Sequence, residues 1–360
     1  MSKVLLVGKG APDRGGIPTF LEILRHGPLA DRHQLDFLNV AHTSTPEGGK
    51  ASAGNVGRTL RDAVRVWQRA RGHDIVHIHS ALAPTVTVLR ASLLAVAGRL
   101  RGCAVILHAH GSEIEFWLVH HRRRSLLKVL MLPAHRVAAV WTNGAQLLAA
   151  ALGERRVRLI DNGVEIPDEL PRGEPHRPPR ILYVGLLTAR KGLLDLLEAS
   201  RILRSDGVEH ELWLVGGTPD EGPEAELPIR EAAAGNAVLL GSRPPEQMAD
   251  AYAAADVFCL PSWYEAMPLS VMEAMAHGLP VVATDVGDVS RAVEDGASGY
   301  VVPVRSPQQM AAALEKVLAD PERRARMGTA GRARVSEHFS SAATARAVAD
   351  LYDEVLAGSR

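Results

Sequence analysis

The chain has 360 residues, enough for about two domains of ordinary size, each with its own core. Its 46% hydrophobic content fits a soluble globular protein, no apolar run approaches the ~20 residues needed to cross a bilayer, and two cysteines exclude a disulfide framework or a zinc site built on thiolates. Net charge is zero, yet residues 1–160 hold 22 Lys and Arg against 10 Asp and Glu while residues 161–360 hold 19 against 31, so a basic first half is expected to meet something anionic.

Short apolar runs alternate with helical patterns throughout, the sequence form of doubly wound α/β domains with parallel sheets. In the first half the predicted strands are Val4–Val7, Leu35–Val40, Ile75–Ile78, Ala104–Leu107, Val137–Trp141 and Val157–Ile160. The opening Lys3-Val4-Leu5-Leu6-Val7 is a strand rather than a secretion signal, which points to the cytoplasm. After it, Gly8-Lys9-Gly10-Ala11-Pro12-Asp13-Arg14-Gly15-Gly16 leads into a helix; paired glycines bring backbone N–H groups close to a ligand, or simply make a turn. Thr43–Gly57 is a candidate specificity loop. His110 in His108-Ala109-His110-Gly111 stands at a strand's carboxyl end, whereas His108 and His79 alternate into or out of the sheet. His108 and His110 lack a third convergent ligand, so no metal site is expected. The run His120–Leu132 mixes Arg122, Arg123, Arg124 and Lys128 with large aliphatics: it is either an interfacial helix on an anionic membrane or a solvated arginine cap on a core helix. It lacks the interleaved aromatics of a nucleic-acid stripe. Cys103 and Cys259 lie in apolar runs and are expected as buried, reduced thiols.

The proline-rich stretch 166–179 suits neither helix nor central strand and divides residues 1–165 from residues 180–340 as a linker. The second set of strands is Ile181–Val184, Glu211–Val215, Ala237–Leu240, Asp256–Leu260, Val281–Ala283 and Tyr300–Val302, followed by helices near Pro307–Ala319, Pro321–Glu337 and Ser341–Leu356. Arg190 and Lys191 fall in the turn after the first of these strands, where cations would neutralise a departing diphosphate; a basic surface turn is the alternative. The stretch Pro261–Pro280 carries most information. A buried strand precedes it, Pro268 suits the first position of a helix, and Gly278 and Pro280 end that helix. Free N–H groups near Leu269 and Ser270 would face a phosphate, Glu273 would accept from two ribose hydroxyls, and Glu265 would be left for a hydroxyl-rich group beyond the phosphates. An amphipathic core helix with solvated glutamates is the competing account.

Two glutamates with seven residues between them, followed by Ala-Met-Ala-His-Gly-Leu-Pro-Val-Val-Ala-Thr-Asp-Val-Gly, closely resemble the signature of the retaining, nucleotide-sugar-dependent glycosyltransferases of family 4. The resemblance implies the GT-B fold, two facing Rossmann-like doubly wound domains with a deep interdomain cleft. In it the first domain binds the acceptor, the second binds the donor, and the last helix crosses back to the first. It gives His110 to the donor sugar, Gly15 and Gly16 to the donor diphosphate or the acceptor, and Gly241-Ser242-Arg243 to the nucleobase side. Catalytic roles thus fall to His110, Lys191 and Glu265, and donor binding to Gly15, Gly16, Arg190, Lys191, Arg243, Glu265, Leu269, Ser270 and Glu273. The family's arginine after the first glycine is Leu186 here, so Arg190 would supply the second charge, and Asp288 stands where a second glycine is common.

The activity implied is transfer of a sugar from a nucleotide diphosphate sugar to a hydroxyl acceptor, such as a lipid-linked glycan, with no cofactor and no metal. No Asp-x-Asp metal motif occurs. Partners expected are the donor and the acceptor, with an anionic membrane surface on the inner face of the cell membrane suggested by Arg122, Arg123, Arg124 and Lys128, and no nucleic acid. The alternative is a noncatalytic nucleotide-sugar binder serving another transferase. A GT-B epimerase is disfavoured by Arg190-Lys191 and the paired glutamates, and a nicotinamide oxidoreductase by the missing glycine fingerprint.

Overall fold

A computed structural model describes every residue except 14, 42–52, 112, 171–175, 218–221 and 359–360. Residues 43–52 of the candidate specificity loop, 171–175 of the linker, Arg14 and Ser112 therefore lie outside the described residues. The chain divides into two compact units, Met1–Gly163 with Ser341–Arg360, and Val164–Ser340.

In chain order the first unit runs β1 (Lys3–Gly8), α1 (Gly16–His26), α2 (Leu29–Arg32), β2 (Gln34–Asn39), α3 (Ala53–Arg69), β3 (Ile75–Ser80), α4 (Thr85–Leu100), β4 (Ala104–Ala109), α5 (Ile114–Trp117), α6 (His121–Leu130), β5 (Arg136–Ala139), α7 (Thr142–Leu152) and β6 (Val157–Leu159). The second runs β7 (Arg180–Val184), α8 (Leu193–Ser205), β8 (Glu211–Val215), α9 (Leu227–Ala233), β9 (Val238–Gly241), α10 (Met248–Ala253), β10 (Val257–Leu260), α11 (Leu269–Ala276), β11 (Val281–Thr284), α12 (Val289–Ala292), β12 (Gly299–Val302), α13 (Pro307–Leu318) and α14 (Pro321–His338). Helix α15 (Ser341–Ala357) returns to the first unit and packs on α2. The described residues of the 166–179 stretch carry no helix or strand and belong to the second unit, where the Pro167 carbonyl accepts from Arg332.

Each unit holds one all-parallel six-stranded sheet, ordered β2-β1-β3-β4-β5-β6 and β12-β11-β10-β7-β8-β9. Helices on both faces force a parallel strand to be apolar along its whole length rather than on alternate residues. Val4, Leu5, Leu6 and Val7 are accordingly fully buried, as are Val257, Phe258 and Cys259. Both cysteines are free and buried. The strand order reverses between β1 and β3 in one sheet and between β7 and β10 in the other, and at such a switch point successive loops diverge and open a crevice at the strands' carboxyl ends.

One face of the first sheet breaks the apolar rule. His77 and His79 of β3 lie beside His108 of β4 and His110 just after it, so all four rings share one face; residues two apart on a strand point the same way. This corrects the expectation that His79 and His108 part from His110. The layer is closed by Phe20 of α1, edge-on to His108 and His110 at 4.9 Å each, and by Tyr352 of α15, whose hydroxyl lies 2.8 Å from His77 Nδ1. Burial pushes the His77 and His110 imidazoles down to about 3 and those of His79 and His108 well below the ordinary value.

Depressed histidines bind protons less readily folded than unfolded. Their contribution is complete above the unfolded pKa of about 6.5 and is lost as pH falls below it, for His77 and His110 toward about 3, at up to about 1.4 kcal/mol per pH unit for each. The thermal midpoint of the chain is therefore expected to fall steeply between about pH 7 and about pH 5. Thermal melts of His108→Asn should show a shallower slope; an unchanged slope would mean that the layer does not govern acid stability.

Candidate functional site

The second sheet's switch point is built from the loops that follow β7 and β10. A 3-10 turn at Ala189–Lys191 ends on Gly192, which takes a left-handed φ of +66° and starts α8. The Lys191 ammonium reaches the loop after β10 and contacts Glu265 Oε1 at 2.5 Å, with 17% and 13% of the two side chains exposed. The same oxygen accepts from Ser262 Oγ at 2.7 Å. Thr284 at the end of β11 donates to the Ser262 carbonyl at 2.5 Å, tying the loop to the neighbouring strand. Trp263 N–H donates to the Arg190 carbonyl at 3.0 Å, and its indole donates to Asp195 of α8 at 2.6 Å. Arg190 itself is exposed.

Behind this loop, Gly287 has φ +53°, and a Cβ there would lie 2.2 Å from the Ala266 carbonyl. The neighbouring Asp288 donates its backbone N–H to that carbonyl at 2.9 Å, and its buried carboxylate holds Arg291 at 2.8 Å. The aspartate at this position thus pairs with an arginine of α12.

Helix α11 begins at Leu269, with Pro268 in the extended cap position before it, one residue earlier than expected for that proline. Proline has no side-chain oxygen, so the first-turn N–H groups, those of Leu269 and Ser270 among them, have no side-chain cap. Further along, the Glu273 carboxylate accepts from the buried Tyr252 hydroxyl at 2.6 Å, and burial raises its pKa. His277 stacks on Tyr252 at 4.8 Å and bonds the Glu273 carbonyl through Nδ1 at 2.8 Å. Beyond β9, Arg243 Nε is buried with no hydrogen-bond partner.

In the first unit, Gly15 takes φ +122° as the cap of α1 and Gly16 opens that helix, and a Cβ at either meets nothing within 4 Å. His110 Nε2 lies 3.0 Å from His79 Nδ1. His79 Nε2 is buried without a partner. A buried unpaired N–H is rarer than an under-used acceptor, which assigns the proton of His79 to Nδ1 and that of neutral His110 to its own Nδ1. The premise that no third imidazole converges is corrected: ring nitrogens of His77, His79 and His108 all lie within 4.8 Å of one another.

Two family models divide the chain between them. "Glycosyltransferase Family 4" matches residues 14–167 and "Glycosyl transferases group 1" matches residues 168–334. The chain belongs to the family 4, group 1 glycosyltransferases. It is 32% identical over 191 residues to the D-inositol 3-phosphate glycosyltransferase of Corynebacterium kroppenstedtii, covering 51% of this chain and 42% of that protein. It is 28% identical over 331 residues to the alpha-maltose-1-phosphate synthase of Mycobacterium tuberculosis, covering 79% and 82%. Among solved structures it resembles sucrose-phosphate synthase from Thermosynechococcus elongatus, with a TM-score of 0.78, 22% identity and coverage of 99% and 100%. It also resembles Anabaena Alr3699/HepE in complex with UDP and glucose, with a TM-score of 0.78, 18% identity and coverage of 98% and 100%. These likenesses assign the GT-B fold to this glycosyltransferase.

Sequence reasoning singled out Lys191, Glu265 and Glu273 but not Ser262, Asp195, Tyr252 or His79, which hold Glu265, Trp263, Glu273 and His110. Those partners lie 3 to 68 residues away in the chain, so helical or strand periodicity carries no sign of them.

Gly192 is the most constrained point of the transferase's second unit: a Cβ would lie 1.8 Å from the Pro261 carbonyl, on a left-handed backbone. Gly192→Ala should separate the loops after β7 and β10. The expected result is a stability loss of at least about 1–2 kcal/mol in denaturant titration together with weakened nucleotide binding.

Proposed function

We propose that this glycosyltransferase moves a sugar, with retention and without a metal, from a nucleoside diphosphate sugar to a hydroxyl acceptor. The observation that carries this reading is the Lys191–Glu265 pair at the switch point. It offers a cation for a departing phosphate and a carboxylate for sugar hydroxyls in one half-buried place.

Lys191, with Arg190 and the uncapped N–H groups of Leu269 and Ser270, would take the diphosphate. Only one of the three ammonium protons of Lys191 is needed for Glu265, which leaves donors for phosphate oxygens. Glu265 would accept from the sugar, Glu273 from the ribose and the unpaired Nε of Arg243 would donate to the nucleobase side. In the first unit, His110 would donate its Nδ1 proton to a sugar oxygen, and the turn at Gly15 and Gly16 would admit donor or acceptor. The acceptor oxygen bonds to the anomeric carbon as the bond to the diphosphate oxygen breaks, and the acceptor proton passes to that departing phosphate. Catalysis is then positioning and leaving-group stabilisation. The exposed charges of α6, Arg122, Arg124 and Lys128, suit an anionic membrane surface and a membrane-held acceptor such as a lipid-linked glycan.

The first test is the thermal shift of the protein with UDP, GDP, ADP and TDP, each with and without a chelator. Stabilisation by one nucleotide that survives chelation supports metal-free donor binding, and no shift with any of them would remove the donor site. Lys191→Ala should then lower turnover by about 10²–10³-fold and weaken nucleoside diphosphate binding without abolishing it; unchanged pathway output would favour a noncatalytic binder. Because burial raises the Glu273 pKa, its carboxylate is lost to protonation above the ordinary carboxylate range as pH falls. Nucleotide affinity should weaken on acidification from that point, and Glu273→Gln should bind weakly with no such pH step in titration calorimetry.

A further inference from the structure

On the first unit α3 packs along α4, and α4 packs on α6. Helix α3 turns one part of its apolar face into the domain, where Val66 and Asp62 are fully buried, and leaves the adjoining part uncovered. Val56, Leu60, Val64 and Trp67 recur at helical spacing, and their exposures are 57%, 54%, 52% and 42%. On α4, Leu89 and Leu100 are likewise exposed, at 47% and 73%. The two helices meet at one end, where the Arg101 guanidinium lies 3.5 Å over the Trp67 ring and donates to the Trp67 carbonyl at 2.6 Å. Large apolar side chains left exposed along two packed helices in this way mark an interaction site.

The charges around it select the occupant. Basic residues number four on α3, two on α4 and four on α6, whereas the three helices together carry one acidic residue, Asp62, which is buried against Arg65 and Arg90. A second copy placed face to face by two-fold symmetry would set arginines against arginines. We propose that the α3–α4 face is a membrane-docking surface that lays its apolar stripe into the headgroup boundary of an anionic bilayer, with the flanking arginines on the lipid phosphates. Aliphatic insertion supplies what a polybasic helix alone does not, since charges without burial anchor weakly. The inference extends the peripheral-membrane reading given for α6 and places the inserting surface on different helices. None of the described helices is long and apolar enough to cross a membrane, so this contact is interfacial.

The test is flotation of the full chain with phosphatidylcholine vesicles prepared with and without phosphatidylglycerol, at low and high salt. The wild type should float only with the anionic vesicles and less at high salt. Leu60→Glu/Val64→Glu, both at exposed positions, should lower partitioning by at least about tenfold while keeping its thermal midpoint and its nucleotide-induced shift. No flotation of the wild type, or equal flotation of the double variant, overturns the proposal. A dimer in light scattering that the double variant abolishes overturns it in favour of a second copy. The nucleotide shift is measured without vesicles, so a failed donor site and a failed docking face give separate results.

Discussion

The Lys191–Glu265 ion pair joins two loops that leave neighbouring strands in diverging directions, and the rest of the candidate donor site depends on that junction. A half-buried pair is costly to form, because both groups give up water. The chain offsets this with a second donor on the same carboxylate oxygen, from Ser262, and with the Thr284 bond to the Ser262 carbonyl. Gly192 and Gly287 allow the backbones to come close enough for these contacts, each where a Cβ would strike a carbonyl oxygen. Breaking one partner alone would leave an uncompensated charge, so the pair is both a site and a brace.

The first unit solves a different problem. Four imidazoles on one sheet face would be a liability if charged, and burial keeps them neutral. Neutral imidazoles can alternate donor and acceptor roles, so the pairs His77–His108 and His79–His110 satisfy much of one another's hydrogen bonding. Tyr352 completes the layer from the last helix of the chain. The return of α15 is therefore part of the chemistry of this face, since it supplies the partner of His77 Nδ1. Through His79, the same layer fixes which nitrogen His110 presents outward.

The parallel strands were legible because burial on both faces writes them as continuous apolar runs such as Val257-Phe258-Cys259-Leu260, bounded by Pro and Gly. Lys191 and Glu265 were legible as candidates because a strand-to-helix turn places its charged residues at the sheet's carboxyl end, and Glu273 because it lies on the helix that such a turn begins. Pairings across the fold were not. That Tyr252 meets Glu273, and that His79 meets His110, depends on which strands lie side by side, and a single sequence does not state strand order. The histidine layer escaped for the same reason: each His-x-His on its own strand looks isolated until β3 and β4 are registered against each other. The α3 stripe was hidden differently, since apolar residues at helical spacing signal burial unless the partner surface is seen to be missing.

The charge asymmetry acquires a physical meaning from these placements. The second half of the chain is acidic overall, yet it carries the proposed site for an anionic diphosphate. Long-range repulsion is screened over roughly 8 Å at physiological ionic strength, so that site must work by contact: one ammonium held in place by a carboxylate, the exposed Arg190 guanidinium, and uncapped helix N–H groups. The first half is basic, and ten of its 22 Lys and Arg lie on three helices around exposed apolar side chains, an arrangement suited to a surface rather than to a small anion. The recognition proposed for the second unit is thus short-ranged and geometric, whereas the docking proposed for the first rests on charges spread around exposed apolar side chains. The two proposals are compatible in a chain with no net charge because the opposing charges are kept in separate halves.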